Sequence, residues 1–285
     1  MPQTLYAGTF LDPADGAARP AWLRVENGRI AQLHREAPAD ADGAETLPGV
    51  TMPGLIDAHV HLCMDGGADP TGRLRANGQN RTVLDALDHM RAHLDAGVTT
   101  VRDLGGPYGL SIDLAAEVAA GRLPGPRVVA SGHNVTMTGG HGHFLGVEAD
   151  GPDAVRRAVR GEIKAGARVL KFMATGGVLT QGVRAGAEQY TEAELRAGIE
   201  EAHKAERRTA THAQGLSGIK NALRAGIDTV EHGAFDRWDD EAFALLTDSG
   251  QPRWLVATLA APAGILEGEG RVPDWVIEKT RPIGE

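Results

Sequence analysis

From Met52 onward, apolar and polar positions follow a repeating change of period. Val83, Leu87, Met90 and Leu94 recur at helical spacing ahead of Gly97, and Val155, Val159 and Ile163 do the same ahead of Gly166. Each glycine stands where a helix C-cap belongs. Three segments share one layout: Ala96-Gly97-Val98-Thr99-Thr100-Val101-Arg102, Ala165-Gly166-Ala167-Arg168-Val169-Leu170-Lys171 and Ala225-Gly226-Ile227-Asp228-Thr229-Val230-Glu231. In each, a helix ends at glycine and a β-branched or apolar run follows, the pattern of successive βα units on a parallel sheet. Thr191 and Glu194 have the spacing of a capping box, which opens a further helix.

The apolar runs predict seven strands: Leu55–Leu62, Thr99–Leu104, Arg127–Ser131, Val169–Ala174, Thr209–Ala213, Thr229–His232 and Trp254–Leu259. A closed (β/α)8 barrel needs eight strands. The expected fold is therefore α/β, a TIM-type (β/α)8 barrel over residues 52–285 that lacks its eighth strand and is incomplete at the C-terminus. Pro273–Glu285 reads as the opening of a helix that then stops, with a sheet edge left open or covered by another chain. Residues 1–51 differ. The alternating segments Ala21–Val25 and Arg29–Leu33 flank Asn27-Gly28, a pair that accepts the positive φ of a type I′ hairpin turn. This predicts a small N-terminal β-subdomain, part of a β-sandwich, with a loop over Ala37–Thr46.

Composition narrows the function classes. Hydrophobic residues at 42% and charged residues at 24% describe a globular chain. The formal net charge of −9 opposes polyphosphate and anionic lipid, so no nucleic acid and no membrane are expected as partners, and a small-molecule substrate is. Cys63 is the only cysteine, and the opening residues carry no signal-peptide pattern, which gives a cytoplasmic expectation. The 38 glycines imply many tight turns and close backbone approaches.

Chemistry concentrates at the predicted strand ends. His59 and His61 alternate onto one strand face, a spacing able to chelate one metal ion or simply to leave two hydrogen-bonded imidazoles. Lys171, His212 and His232 end three other strands, and in a βα barrel such ends converge on one face. A lysine in an apolar strand must be neutralised, modified or paired with a carboxylate. His141 and His143, in Gly139-Gly140-His141-Gly142-His143, lie in a loop able to approach a ligand, and Arg184 and Tyr190 are within reach of substrate from the loop opened by Gly176-Gly177. Cys63 reads as a packing residue, and His34, His89, His93, His133 and His203 as structural or solvated.

Together these segments resemble the amidohydrolase superfamily, particularly its imidazolonepropionase and Xaa-Pro dipeptidase-like branch. The residues that carry the resemblance are Pro53 to His61, Gly97 to Asp103, Thr138 to His143, the Lys171 strand, Thr211-His212-Ala213 and Glu231-His232-Gly233. The resemblance implies two divalent metal ions, usually zinc: His59 and His61 on one, His212 and His232 on the other, and carboxylated Lys171 bridging them. A hydroxide held between the metals would attack an amide or peptide bond, with dipeptides or N-acyl amino acids as substrates. Lys171, His141 and His143 are the catalytic candidates, and His141, His143, Arg184 and Tyr190 the substrate-binding ones. The family also places an acid at the eighth strand end. Asp248 superficially matches it, but the preceding Glu241–Leu246 reads as helix and a strand still follows. The alternatives are a deaminase of the same superfamily, disfavoured by Lys171, and a catalytically silent truncated fragment that binds metal or a partner. A homo-oligomer is expected from the open edge.

Overall fold

The computed structural model describes residues 3–67, 69–233, 238–268 and 274–284, and the chain divides into two compact units, Met1–Leu55 and Ile56–Glu285. The first contains β1 (Gln3–Leu11), β2 (Ala18–Glu26), β3 (Arg29–His34) and β4 (Glu45–Thr51), ordered β3-β2-β1-β4 in one sheet. Glu26 pairs with Arg29 across a two-residue turn in which Asn27 and Gly28 have φ of 52° and 72°, as the hairpin pattern requires. Leu5, Phe10 and Ala21 are its buried apolar residues.

The second unit alternates strand and helix: β5 (Leu55–Val60), α1 (Pro70–Ala76), α2 (Gln79–Asp95), β6 (Val98–Asp103), α3 (Leu110–Ala119) and β7 (Arg127–Ala130). It continues through β8 (Asn134–Thr136), β9 (Gly146–Glu148), α4 (Pro152–Ala165), β10 (Val169–Met173), α5 (Glu192–Lys204), β11 (Arg208–Ala213), α6 (Leu216–Ala225) and β12 (Thr229–His232). The last described elements are α7 (Asp240–Thr247), β13 (Trp254–Val256), α8 (Ala260–Glu267) and α9 (Asp274–Gly284). The strands form two sheets, β5-β6-β7 and β13-β12-β11-β10-β8-β9. The pairings β6–β7, β8–β9, β8–β10, β10–β11, β11–β12 and β12–β13 are all parallel. The Arg168 N–H donates to Ala130 O at 2.8 Å and links the two sheets. The architecture is thus α/β with parallel sheets, and no described helix is long and apolar enough to cross a membrane.

Strand parity explains the layers. On β10, Leu170 and Phe172 pack outward against α4, α5 and α6, while Val169 joins Leu104 and Ala210 in a separate inner cluster, which puts Lys171 on that inner face. On β5, Val60 and the following Leu62 pack outward, so His59 and His61 face the other way. The helices end as the glycine pattern anticipates. Gly166 and Gly226 cap α4 and α6 with φ of 117° and 97°, and the Thr191–Glu194 capping box is complete.

Two expectations need correction. The strand expected over Trp254–Leu259 stops at Val256, because Thr258 adopts φ of 49°, which breaks the extended backbone, and α8 begins at Ala260. The short strands β8 and β9 lie where the sequence shows only a glycine-rich loop. Asp248, by contrast, lies as the helical pattern of Glu241–Leu246 indicated: it is the C-cap of α7, at the end of a helix and not of a strand.

Candidate metal centre and active site

Five imidazoles come together, three of them by strand parity. The rings of His59 and His61 lie 5.4 Å apart, His59 and His232 4.8 Å, His212 and His232 4.7 Å, and His141 and His212 4.2 Å. Lys171, 1% exposed, lies within electrostatic reach of all five. His59, His61, Lys171 and His212 arrive by ordinary alternation. His232 does not: Val230 packs outward and Glu231 inward, so parity would send His232 outward. Its φ of 72° departs from the strand conformation and lets the ring join the cluster. Backbone strain of this kind in a non-glycine residue concentrates at functional sites.

Hydrogen bonds set which ring nitrogens are free. His61 Nδ1–H donates to Gly105 O at 2.7 Å and His59 Nδ1–H to Glu231 Oε2 at 2.8 Å, so each keeps a lone pair on Nε2. His212 Nε2–H donates to Gly176 O at 3.3 Å, which leaves its Nδ1 lone pair. His232 Nδ1 pairs with Thr258 Oγ1 at 2.7 Å. Burial keeps all five rings neutral. It pushes His61 down to about 4 and His141 down to about 3, and holds His59, His212 and His232 well below the ordinary imidazole range. Burial also lowers Lys171 to about 7, with Glu231 opposing and Arg102 reinforcing the shift. Neutral imidazoles and a readily deprotonated amine are the forms that bind a cation or add carbon dioxide. The rings contact one another directly, however, and among the described residues no three His, Cys, Asp or Glu side chains are already spread around a common centre.

The loop after β10 roofs this cluster. A Cβ at Gly177 would fall 2.5 Å from His141 Nε2 and 2.7 Å from His212 Cε1, so only glycine lets the backbone pass this close. Thr180 on the same loop accepts the Gly142 N–H at 3.1 Å and pairs with His141 Nδ1 at 2.9 Å. Lys279 of α9 donates to Thr180 O and Val183 O at 2.8 and 2.6 Å, tying the loop down.

One expected substrate contact is corrected, and two others lie outside the imidazole cluster. Tyr190 is fully buried in the core beside α5 and donates its hydroxyl to Ala149 O, so it faces the helix layer. His143 is exposed, with Nδ1 on Gly140 O and its ring edge against Phe144, outside the imidazole cluster. Arg184 is exposed at the turn of the loop that Gly176 and Gly186 close. Cys63 is buried, and burial raises its thiol pKa, as a packing residue requires. His89, His133 and His203 are engaged by Leu62 O, Glu162 and Asp228. The sequence reading assigned no role to Glu231, Arg102, Thr180 or Thr258. An acidic residue and a threonine two apart on one face of a short strand, immediately before a histidine, were the available signal for Glu231.

Residues 50–249 match the model of the amidohydrolase family. The ochratoxinase of Aspergillus niger is 31% identical over 280 aligned residues, covering 86% of this chain, and the chain spans 57% of that relative's length. Among solved structures, a prolidase crystallised with N-methylphosphonate-L-proline superposes with a TM-score of 0.89 at 28% identity, covering 100% of this chain and 73% of that one. A Xaa-Pro dipeptidase with bound methionine in its active site gives 0.87 at 27%, covering 99% and 74%.

Proposed function

Because the chain belongs to the amidohydrolase family, we propose that it is a binuclear metal-dependent hydrolase that cleaves an amide or peptide C–N bond of a small molecule, with dipeptides and N-acyl amino acids as its substrate class. The observation that carries this reading is the convergence of five neutral imidazoles, two buried and three half-buried, beside a buried lysine. The parallel strands and their outer helices then belong to a (β/α)8-type barrel. His59 and His61 would hold one divalent ion and His212 and His232 the other, with zinc as the ion that suits nitrogen-rich donor sets. Lys171 would lie between them as a carbamate. Its neutral amine adds carbon dioxide and loses a proton, which exchanges a costly buried ammonium for an anionic ligand.

The donor set fits such ions: His59 and His61 each present a free Nε2 lone pair, and burial has already removed the competing protons. When bound, two divalent ions polarise the scissile carbonyl and lower the pKa of the attacking water. The chain's own residues do the positioning. Thr180 Oγ1 accepts from Gly142 N–H and pairs with His141 Nδ1, which holds the ring's orientation and leaves Nε2 to face the cluster. The loop through Gly177 covers the two rings and excludes water from them.

The test is a panel of dipeptides and N-acyl amino acids assayed with zinc and bicarbonate. Release of the amine product is expected, and Lys171→Ala should lower both metal content and turnover, the latter by more than about 100-fold, the upper effect of losing a mere outer contact. Release of ammonia in place of a substituted amine or amino acid would favour the deaminase reading. A wild-type chain that neither takes up metal nor turns over any substrate would overturn both.

A further inference from the structure

We propose that Glu231 is a positioning residue that fixes His59 as the Nδ1–H tautomer and aims its Nε2 lone pair at the cation site; the proposal rests on the metal-centre reading above. Glu231 is 0% exposed and sits one residue before His232, yet its carboxylate turns to His59 on a strand of the other sheet. Both oxygens are committed. Oε2 accepts from His59 Nδ1 at 2.8 Å, while Oε1 accepts from Arg102 Nη2 at 2.9 Å and from the Thr229 hydroxyl at 2.6 Å. A carboxylate offers only acceptors, so the proton between it and His59 belongs to the imidazole.

The orientation of Glu231 is itself determined. Thr229 stands two residues before it on the same strand face. Arg102 is held by two further bonds, from Nε to Ala58 O at 2.7 Å and from Nη1 to Thr229 Oγ1 at 3.2 Å. Ala58 precedes His59, so one guanidinium ties together the backbone that carries the imidazole and the carboxylate that orients it. The neighbouring His61 obtains the same tautomer from a backbone carbonyl, Gly105 O. His59 therefore depends on side chains where His61 does not, and substitution at Glu231 should uncouple the two rings. A carboxylate behind a ligating imidazole also raises its basicity, and removal of such a partner typically weakens metal binding about 10–100-fold.

The experiment has a metal-free arm and a metal arm. In the chelator-treated wild type, long-range nitrogen–proton NMR correlations should show His59 at neutral pH with the hydrogen on Nδ1; a hydrogen on Nε2 overturns the proposal. In Glu231→Gln, whose single amide oxygen cannot serve both His59 and the Arg102–Thr229 pair, zinc affinity measured against a chromophoric chelator should fall by about 10-fold, and in Glu231→Ala by about 100-fold, with a mixed His59 tautomer in each. His61 should keep its tautomer in both. Unchanged zinc affinity in both variants overturns the proposal. The expected His59 tautomer in a wild type that binds no zinc would sustain the Glu231 assignment and remove the metal-centre reading, so the two fail separately. Glu231→Gln retains the shape of the side chain while removing one acceptor, and the wild-type tautomer needs no variant at all.

Discussion

An imidazole buried against other imidazoles stays neutral because a charge there would lose its water and meet other cations, and this makes stability depend on pH. In the unfolded chain each histidine takes up a proton as pH falls through about 6.5. In the fold, burial holds His61 near 4 and His141 near 3, with His59, His212 and His232 also well depressed. Over that window the unfolded state binds more protons, so their stabilisation, fully present above about 6.5, is lost as pH falls toward the folded values, each ring contributing up to about 1.4 kcal/mol per pH unit. Lys171 acts in the same direction between 10.5 and about 7. Asp103, raised to about 6 by burial, opposes them, but it is one carboxyl against five rings. The urea midpoint of the chelator-treated protein should therefore drop steeply from pH 7.5 to pH 5.5; a flat profile would show that the rings titrate freely. At this scale the sequence exposed the histidines and Lys171 because strand parity fixes direction. It misdirected Tyr190 and left His143 and Arg184 unplaced, because a loop has no period from which to read where a side chain points.

The packing of α5 on β10 sets two glycines in opposition. Gly198 in α5 faces the sheet, where an added Cβ would fall 2.6 Å from Phe172 Cε1 and 2.9 Å from Val155 Cγ1. Gly161 in α4 is exposed, with nothing within 4 Å of the same atom. Alanine gains about 1 kcal/mol over glycine inside a helix, whereas overpacking a core costs about 1–3 kcal/mol. Gly161→Ala should raise stability by nearly the full propensity gain, and Gly198→Ala should lower it by up to about 2 kcal/mol despite its better helix former. Chemical denaturation of both variants decides this, and a stabilised Gly198→Ala would mean that Phe172 yields without cost. The same local rules made much of the element order legible, since Asn27-Gly28, Gly166, Gly226 and Thr191 each impose a backbone geometry on their own. The strand after α7 was less legible: Val256-Ala257-Thr258-Leu259 carries no glycine, proline or charge, and only the positive φ at Thr258 ends the extension.

At the scale of the molecule, the parallel order of strands was readable from repeated βα units, while the meeting of His59, Arg102 and Glu231 was not, because no local pattern links residues 172 positions apart. One consequence of the order concerns β13, which among the described residues is hydrogen-bonded only to β12. Trp254 is 50% exposed and Leu255 45% on this strand, and Leu259 just beyond it is 76% exposed. An edge strand presents unpaired backbone groups, and here apolar side chains stand beside them without a charged residue to blunt pairing. We propose that the chain self-associates through this edge as a homo-oligomer. Sedimentation velocity should show mass rising with concentration, and Leu255→Lys, which puts a charge on the edge, should return the protein to monomer with its circular dichroism unchanged. Ile30→Lys provides the comparison, since Ile30 is 68% exposed in the Met1–Leu55 unit and its replacement should leave the association intact. Dissociation by Ile30→Lys and not by Leu255→Lys would move the contact to the N-terminal sheet, and a monomer at every concentration would dispose of it, because paired edges cannot be present in a particle of one chain.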